Sequence, residues 1–463
     1  MSADPAPRVR VVVVNYNGGE LVERCVEHLL ATEWPTNRLD VVVVDNASGD
    51  GSADVLAARF PHIRLIRSPR NLGFAGGNNL GLADLHGVDF VALVNPDAFM
   101  EPGWLRPLVE ALQGDAHAGA ANPKLLLEPR FARVDLRAEG FRPGGGDPRT
   151  LGVAVHGVRH AGADRFEATV FGEGFEALET APDGSTFRWA GPEATAWLPV
   201  PSDVTGHARL EMFVAAEREK AVTLSTAAGT VTETVGPTPR WLTLEVAEPF
   251  TDLLNDAGSE PAGAFPANRG LGEPDDGRYD QPERVFAWTG SAVLLAVPYL
   301  CDVGLFDDRL FMYYEDFDLS CRGVLRGWHA VYVPTSRGRH VRGAVAGHRT
   351  ALVDHHVQRN GLLVLVKNAP ARVAWAEARR YLRDTWRMVR VEVVRPVIRG
   401  KRPRPHVTKR RTRVLADVVR RLPRALVERR RIGRTATRPR SAIYGPVGPS
   451  TSDAEPASEP PPQ

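Results

Sequence analysis

The chain has 463 residues, of which 43% are hydrophobic and 25% are charged. This length exceeds one usual hydrophobic core, so two or three domains are expected. The composition is that of a globular protein, and no run of about 18 uncharged apolar residues is present to span a bilayer. Residues 1–8 contain no apolar stretch, which argues against a secretory signal and predicts a cytoplasmic location.

The cysteine content indicates neither a disulfide framework nor a cysteine zinc site. Cys25, Cys301 and Cys321 are the three cysteines, and no pair has the C-x-x-C spacing. All three are therefore predicted to be buried packing residues.

The net charge of +2 conceals a strongly basic segment near the end of the chain. Residues 371–440 contain 24 Lys and Arg against 5 Asp and Glu, whereas the rest of the chain contains 34 against 51. A basic segment on an acidic body indicates a polyanionic partner, either nucleic acid or an anionic membrane surface.

Apolar residues recur at helical spacing in 374–394, and a second such stretch follows in 414–427. Both patterns are typical of helices that lie in a membrane interface. The alternative is that these helices pack on the protein body and leave their arginines in solvent. The aromatic residues lie on a helical stripe instead of a stacking platform, so no nucleic-acid partner is expected.

The first 130 residues alternate between apolar strands and helices. Strands are predicted at 9–14, 39–44, 63–66 and 90–94, and helices at 20–31, 75–85 and 103–113. Continuous apolar strands joined by helices predict an α/β fold with a mostly parallel sheet covered on both faces. Because ligands of such sheets bind beyond the carboxyl ends of the strands, polar residues at those ends are candidates for a site.

The texture of the sequence changes at about residue 150. Up to residue 248, short alternating segments are separated by Gly, Pro and Asp, a pattern that predicts an all-β sandwich. The predicted strands include 165–171, 186–189, 208–214, 221–225 and 241–246. The α/β pattern returns over 281–370, so the β module is inserted, and residues 446–463 have the composition of a disordered tail.

Polar clusters follow three of the predicted strands, at residues 15–19, 45–52 and 95–97. A single cluster of this kind usually builds a turn or a helix cap, but three at one sheet edge indicate a binding site. A carboxylate at a strand end can accept hydrogen bonds from a base or ribose, and one beside a diphosphate can hold a divalent cation. Asp45 and Asp97 are assigned these two roles respectively.

A glycine-rich stretch, NLGFAGGNN at residues 71–79, enters the predicted helix at 75–85. Missing side chains let backbone N–H groups approach a phosphate or a ribose, although the signal is weak alone. A dinucleotide fingerprint would follow the first strand, and residues 15–19 do not supply one. This absence counts against a nicotinamide-dependent oxidoreductase, which is one alternative function.

The sequence YYEDFDLSCR at residues 313–322 places three acids within four residues, beside aromatic side chains and at the start of a short helix. Acids at a helix start often only stabilise the helix, but this density suits a general base for a sugar hydroxyl. His340 follows a predicted strand at 331–334 and has a nitrogen that can ligate a metal, although a lone histidine is more often structural.

The order and spacing of six segments resemble the family 2 glycosyltransferases of the GT-A fold, and more narrowly their rhamnosyltransferase-like branch. The segments are VVVVNYNGG, VVVVDNASGDGS, NLGFAGGNN, LVNPDA, TGSAVLLAVPYLCDVGLFDD and YYEDFDLSCRGVLRGW. The resemblance covers residues 8–122 and 282–369 and does not reach the inserted β module.

The resemblance implies an inverting transfer of a sugar from a nucleotide-diphosphate donor to a hydroxyl of a cell-envelope glycan or a lipid-linked acceptor. Asp316 falls on the catalytic base and Glu315 is its neighbour in the catalytic pair. Asp97 falls on the ligand of a divalent cation, Mn²⁺ or Mg²⁺, and His340, 24 residues after Asp316, on a second ligand. The residues expected at the nucleotide-sugar site are Asn15, Asn17, Asp45, Asn71, Gly73, Asn78 and Asn95.

The resemblance favours dTDP-rhamnose as the donor, with UDP-galactofuranose second. Many relatives have an aspartate where this chain has Asn95, so a non-catalytic glycan-binding scaffold is a further alternative. The inserted module can bind glycan, order the acceptor or serve packing alone. Residues 371–440 are expected to hold the enzyme peripherally against the cytoplasmic face of an anionic membrane, where lipid-linked acceptors are found.

Overall fold

The computed structural model describes residues 6–144, 146–181, 184–201, 204–341, 351–403 and 405–445. They form two compact units. The first takes its described residues from 1–125, 255–270 and 277–451, and the second from 126–254 and 271–276. The second unit therefore interrupts the first along the chain. The predicted tail at 446–463 lies outside the described residues.

The first unit begins with strands and helices in alternation. Its first strands are β1 (Val9–Asn15), β2 (Leu39–Asp45), β3 (Arg64–Arg67), β4 (Phe90–Val94), β5 (Ala98–Met100) and β6 (Ala118–Leu127). Its first helices are α1 (Gly19–Leu30), α2 (Ser52–Arg59), α3 (Gly73–Gly81) and α4 (Leu105–Gly114). The four predicted strands are present, and β1, β2 and β4 are almost wholly buried. The helix predicted at 75–85 starts earlier and ends at Gly81.

The second unit consists of antiparallel strands. Its described strands are β7 (Arg130–Ala138), β8 (Ala154–His160), β9 (Ala163–Asp164), β10 (Val170–Phe171), β11 (Phe175–Thr180), β12 (Thr186–Ala190), β13 (Glu193–Val200), β14 (His207–Ala215), β15 (Lys220–Thr226), β16 (Gly229–Val235) and β17 (Arg240–Ala247). They form two sheets, β10-β13-β7-β15-β16 and β11-β12-β8-β14-β17, which share one apolar core. This arrangement is a β-sandwich.

Two expectations for this unit were wrong in detail. The boundary at residue 150 came too late, since β7 already pairs with β13 and β15 in the sandwich. The strand predicted at 165–171 is reduced to β10, because the residues before it form turns. The aromatic residues of 165–171 favour a strand. In the structure, most of this segment pairs with no neighbouring strand.

The chain then completes the first unit. The added strands are β18 (Leu254–Asp256), β19 (Ser259–Ala262), β20 (Phe265–Asn268), β21 (Glu283–Val285), β22 (Ala292–Ala296) and β23 (His329–His340). The added helices are α5 (Val297–Val303), α6 (Glu315–Arg326) and α7 (Ala351–Asn368).

The main sheet has the order β21-β23-β6-β22-β4-β1-β2-β3. Strands β3, β2, β1 and β4 are parallel, so the polar clusters after β1, β2 and β4 meet at one edge. Strands β22 and β23 are antiparallel additions, and β23 pairs with β5 so that His340 lies opposite Ala98. The predicted α/β class with an inserted β-sandwich is confirmed.

The C-terminal helices are α8 (Ala371–Val389), α9 (Arg395–Ile398) and α10 (His406–Thr435), with a π-helical segment at Arg390–Val394 between α8 and α9. Helix α10 packs along α7 and buries Val414, Ala425 and Ile432. The other faces of these helices carry exposed apolar side chains, namely Trp375, Leu382, Trp386, Val391, Val394, Val397, Ile398, Val419, Leu426 and Val427. In the described part of the chain, no helix has the length and hydropathy needed to cross a membrane.

The burial of the cysteines departs from expectation at one position. Cys25 and Cys321 are buried, but Cys301 is exposed. The short helix α5 buries Tyr299 and Leu300 and turns Cys301 toward solvent. The prediction that Cys301 is a buried packing residue was therefore wrong.

Candidate active site

Asn15 and Asp45 end the paired strands β1 and β2 and lie opposite each other. The Asn15 amide donates to Oδ1 of Asp45 at 3.2 Å and to the hydroxyls of Ser48 and Ser52, and its Oδ1 accepts from the N–H of Gly18. Asn15 has no exposed surface. The Asn15 amide already forms its hydrogen bonds within the protein. Its role is therefore to orient Asp45.

Asn17 connects the loops that follow β1 and β2. Its Oδ1 accepts from the N–H of Gly49 at 2.8 Å, and its own N–H donates to the hydroxyl of Ser48 at 3.0 Å. Its backbone is left-handed, with φ of +54°, a conformation that asparagine tolerates better than most residues. This exposed residue therefore shapes the rim of the site beside Asp45.

Close packing explains two glycines of the 71–79 segment, an explanation that sequence analysis did not provide. A Cβ at Gly77 would lie 2.6 Å from Cγ1 of Val14, and one at Gly73 would overlap the carbonyl oxygen of Phe311. Close packing of α3 on β1 and on the loop at Phe311 therefore requires them. Asn78 is buried and donates to the carbonyl oxygen of Phe74, within its own helix.

Asn46, which sequence analysis did not single out, joins the end of β2 to this glycine-rich segment. Its Nδ2 donates to Oδ1 of Asn71 and to the carbonyl oxygen of Gly73, each at 3.0 Å, and its Oδ1 accepts from the N–H of Leu72. Oδ1 of Asn71 also accepts from the N–H of Gly73. The only sequence signal for Asn46 was its place directly after Asp45.

Asp97 and His340 form a buried pair beyond the end of β4. Nε2 of His340 lies 3.1 Å from Oδ1 of Asp97, because β5 and β23 pair at this point. Nδ1 of His340 is buried and has no hydrogen-bond partner among the described residues. Among the described residues, no three His, Cys, Asp or Glu side chains cluster as a metal site. The pair offers a carboxylate oxygen and an imidazole nitrogen, two atom types that hold divalent cations in proteins.

Asp316 lies in the first turn of α6 with its carboxylate held by two backbone N–H groups. Oδ2 accepts from Gly290 at 3.2 Å and Oδ1 accepts from Phe317 at 2.7 Å. Asp316 keeps some exposed surface although protein atoms surround it densely. Burial raises the pKa of this carboxyl against the effect of both hydrogen bonds, and a higher pKa makes the carboxylate a stronger base.

Glu315 and Asp318, the other two acids of the cluster, have different environments. Burial, reinforced by the charge of Asp316, raises the pKa of Glu315 well above its usual range, and its Oε2 has no hydrogen-bond partner within the described ranges. Burial also opposes ionisation of Asp318, but the charges of Lys367 and Arg322 outweigh it and lower its pKa to about 2. The raised pKa disfavours ionisation of Glu315, and Asp318 is fixed in ion pairs with Lys367 and Arg322, so Asp316 is the candidate base.

Asp256 is a buried carboxyl near this centre that sequence analysis missed. It lies on β18, directly after the inserted unit, and accepts from the hydroxyl of Thr289 and the N–H of Gly258. Burial raises its pKa to about 7 in spite of these bonds, and the charges of His340 and Asp316 both act on it. Its sequence context, LLNDAG, has no motif that marks a site.

A short stretch before β22 brings the separate clusters together. The carbonyl oxygen of Ser291 accepts from the N–H of Asn95, and the adjacent Gly290 donates to Asp316. Thr289, one residue earlier, bonds to Asp256. The end of β4, the catalytic candidate on α6 and the buried carboxyl on β18 therefore share one network.

The chain is similar in sequence to known glycosyltransferases. The model of glycosyl transferase family 2 matches residues 10–128. Over 362 residues, 75% of this chain and 80% of the relative, the chain is 26% identical to the N-acetylglucosaminyl-diphospho-decaprenol L-rhamnosyltransferase of Mycobacterium tuberculosis. It is 36% identical over 108 residues to the succinoglycan biosynthesis protein ExoO of Rhizobium meliloti, 23% of this chain and 30% of that protein.

A solved structure also matches much of this chain, at low sequence identity. A crystal structure of GalNAc-T7 with UDP, GalNAc and Mn²⁺ matches 83% of this chain and 51% of that one, with 13% identity and a TM-score of 0.42.

These matches identify the chain as a glycosyltransferase. More narrowly, the chain contains a family 2 glycosyl transferase domain and is similar to a mycobacterial rhamnosyltransferase over three quarters of its length. The comparisons lend no support to a nicotinamide-dependent oxidoreductase or to a non-catalytic scaffold.

Proposed function

We propose that this glycosyltransferase moves rhamnose from dTDP-rhamnose, with inversion, to a hydroxyl of a lipid-linked cell-envelope glycan. The carboxylate of Asp316, with its raised pKa and its link through Gly290 to the end of β4, is the observation that carries the proposal. The similarity to a protein named as a rhamnosyltransferase supports this donor over UDP-galactofuranose.

In the proposed reaction, Asp316 accepts the proton of the acceptor hydroxyl as its oxygen attacks the anomeric carbon. The new carbon–oxygen bond forms on the face opposite the diphosphate, the bond to the diphosphate oxygen breaks, and the configuration inverts. The raised pKa of Glu315 disfavours its ionised form, so Asp316 is assigned the role of the carboxylate beside the acceptor. A positioned general base of this kind contributes about 10²–10⁴ in rate.

Asp97 and His340 would hold the divalent cation, Mn²⁺ or Mg²⁺. They fit this role because the Asp97 carboxylate and the histidine ring are adjacent, and Nδ1 of His340 is buried with no hydrogen-bond partner in the described part of the chain. When bound, such a cation supplies Lewis-acid stabilisation of the departing diphosphate. Asn95 would add a neutral oxygen in place of a second carboxylate.

The nucleotide would lie at the edge formed by β1 and β2. Asp45, held by Asn15, is the candidate for contact with the base or ribose, with Asn17 at the rim and Asn71 on the adjoining loop. A carboxylate already oriented by the protein binds with little loss of side-chain entropy. Asn15, Asn78 and Gly73 would support this pocket from within the protein.

The C-terminal helices would rest on an anionic membrane. Trp375 and Trp386 are 64% and 61% exposed on one face of α8, and Ile398 at the end of α9 is 78% exposed. Arginines flank these apolar residues, the combination that binds membrane interfaces. The inner faces of α8 and α10 contact α7, so core packing and membrane contact use different sides of these helices.

A panel of nucleotide sugars tests the donor proposal, because a ligand that binds the folded state raises its melting temperature. The full chain is heated with dTDP-rhamnose, UDP-galactofuranose or NADH, each with and without Mn²⁺. We expect the largest stabilisation from dTDP-rhamnose with Mn²⁺. Greater stabilisation by UDP-galactofuranose would reassign the donor, and stabilisation by NADH alone would overturn the proposal.

A further inference from the structure

The loop that leads into α6 is held in an unfavourable backbone conformation. Phe311, Tyr313 and Tyr314 have φ of +68°, +66° and +67°. Bulky residues rarely adopt the left-handed region, and they stay there only where surrounding contacts hold them. Because Glu315 and Asp316 follow directly, this loop sets the direction in which both carboxyl groups leave the backbone.

Asn360 of α7 binds this loop through its backbone. Its Nδ2 lies within hydrogen-bond distance of three carbonyl oxygens, those of Leu310 (2.9 Å), Met312 (2.8 Å) and Tyr313 (2.8 Å). Asn360 has no exposed surface. One buried amide therefore spans the strained segment, and losing it would remove a shared donor from the carbonyl oxygens of Leu310, Met312 and Tyr313.

Arg359 fixes which way the Asn360 amide points. Its Nε donates to Oδ1 of Asn360 at 2.8 Å, so the Nδ2 side must face the loop. Its Nη2 donates to the carbonyl oxygen of Leu310 at 3.0 Å and to Nδ1 of His356 at 2.9 Å. Its Nη1 lies 3.3 Å from Oδ2 of Asp417 on α10. The guanidinium thus ties α10, α7 and the loop together.

The other side of the loop is held by the glycine-rich segment. Ala75 donates its N–H to the carbonyl oxygen of Phe311 at 3.1 Å, and Gly73 leaves the space that this carbonyl occupies. The ring of Phe311 stacks on His356, with centroids 5.3 Å apart. Contacts from both sides therefore determine one conformation of residues 310–314.

We propose that Asn360, with its amide oriented by Arg359, is the positioning residue of the catalytic carboxylates. It acts by holding residues 310–314 in the strained conformation that aims Asp316 at the acceptor, and it does not touch the reacting atoms. The inference rests on the proposed role of Asp316 as the base.

The test compares Asn360→Ala with Asn368→Ala in the full chain. Asn368 is a buried asparagine of the same helix, but its Nδ2 donates to Asp318 at 2.8 Å and not to the loop. Hydrogen exchange is followed at the amides of Ala75, Met312 and Asp318, whose acceptors are Phe311, Leu310 and Tyr314. Turnover of dTDP-rhamnose, or of UDP-galactofuranose if that is the donor accepted, and binding of the matching nucleoside diphosphate with Mn²⁺ are measured in parallel.

Asn360→Ala is expected to speed exchange at these amides and to lower kcat about 10²-fold, as small displacements of catalytic groups do, with diphosphate binding within about twofold of the parent. Asn368→Ala should leave both exchange in the loop and kcat close to the parent. Equal losses in the two variants, or unchanged exchange in Asn360→Ala, would overturn the proposal.

Arg359→Lys provides a second variant if Asn360→Ala does not fold. It keeps a cation beside Asp417 but removes the Nε donor to Asn360, and the same two effects are expected in weaker form. Unchanged loop exchange and kcat in this variant would likewise contradict the proposal. The Asp316→Asn variant tests the proposed base separately. If Asp316 is not the base, this variant would turn over normally, whatever the exchange data show.

Discussion

Gly290 donates its backbone N–H to Oδ2 of Asp316 across 3.2 Å, although 26 residues separate them in the chain. This bond joins the start of β22 to the start of α6. It orients the carboxylate, while burial keeps its pKa raised. A single backbone contact thereby couples the sheet edge, where the donor is proposed to bind, to the group proposed to activate the acceptor.

Asp316→Asn is expected to lower the transfer rate by about 10²–10⁴ while nucleotide binding stays within about twofold. The amide keeps the shape, but its single oxygen can accept from only one of Gly290 and Phe317, and it cannot take a proton. Steady-state kinetics and calorimetric binding of dTDP with Mn²⁺ separate these effects. Glu315→Gln is the matched comparison, with a much smaller loss expected because the raised pKa of Glu315 disfavours the charge that Gln also lacks. Near-parental transfer by Asp316→Asn would place the base elsewhere.

Chelation of divalent cations should abolish donor binding, and added Mn²⁺ should restore it. Asp97→Ala is expected to raise the Mn²⁺ concentration needed for half-maximal binding more than His340→Ala does, because the carboxylate contributes charge as well as a lone pair. Mn²⁺ titrations of donor binding measure both.

The pair His329 and Asp115 provides the control for the metal prediction. Nε2 of His329 lies 2.9 Å from Oδ2 of Asp115 at the opposite end of β23, a similar pair away from the proposed site. His329→Ala should leave the Mn²⁺ titration unchanged. Donor binding that survives chelation would refute the metal role of Asp97 and His340.

The sequence alone identified those residues of the candidate site that a local sequence pattern marks. Asp45 and Asp97 end apolar runs that form strands wherever both faces are covered, and Asp316 begins an amphipathic helix. Such signals are contained within about ten residues, so they can be detected without knowledge of the tertiary structure.

The parts that sequence missed depend on distant contacts. Asp256 is separated by 33 residues from Thr289, and Asn360 by 47 to 50 residues from the carbonyl groups it binds. Asn15 was recognised as a strand-end polar residue, but only the pairing of β1 with β2 shows that its amide faces Asp45 and two serines. The residue type suggested that Asn15 contacts a ligand, whereas the tertiary structure shows that Asn15 supports Asp45.

Asp256 should make stability fall as pH rises. Its pKa is about 7 in the folded protein against 3.8 for an ordinary aspartate, so the folded state binds more protons between these values. The resulting loss in the free energy of unfolding is absent below about pH 4. It is complete above about pH 7, where it reaches about 4 kcal/mol.

Asp256→Asn removes this dependence, since the amide carries no charge and can still bond to Thr289. Urea unfolding of parent and variant at pH 5 and pH 8 measures it, and the variant should gain stability relative to the parent at pH 8. Other carboxyl groups with raised pKa are common to both proteins and cancel in the comparison. A difference in unfolding free energy that is the same at both pH values would show that Asp256 is not the titrating group.

The last prediction concerns the exposed face of the C-terminal helices. Point substitutions test it better than truncation, because Ile432 and Ile443 belong to the core that contains Phe317 of α6. Trp375→Ser with Trp386→Ser removes two large exposed rings without opening that core. The control is Leu30→Ser with Val55→Ser, which changes exposed apolar residues outside residues 371–440.

The parent should co-sediment with vesicles that contain anionic lipid and not with neutral ones, since each Lys or Arg near an anionic surface contributes about 1 kcal/mol. Rising salt should weaken binding by screening, and the part that persists at high salt should come from the tryptophans. The tryptophan pair variant should therefore lose mainly the salt-resistant part, whereas the Leu30 and Val55 control binds as the parent does. Equal binding to neutral vesicles, or identical behaviour of both double variants, would show that these helices serve packing against α7 and do not form a membrane surface.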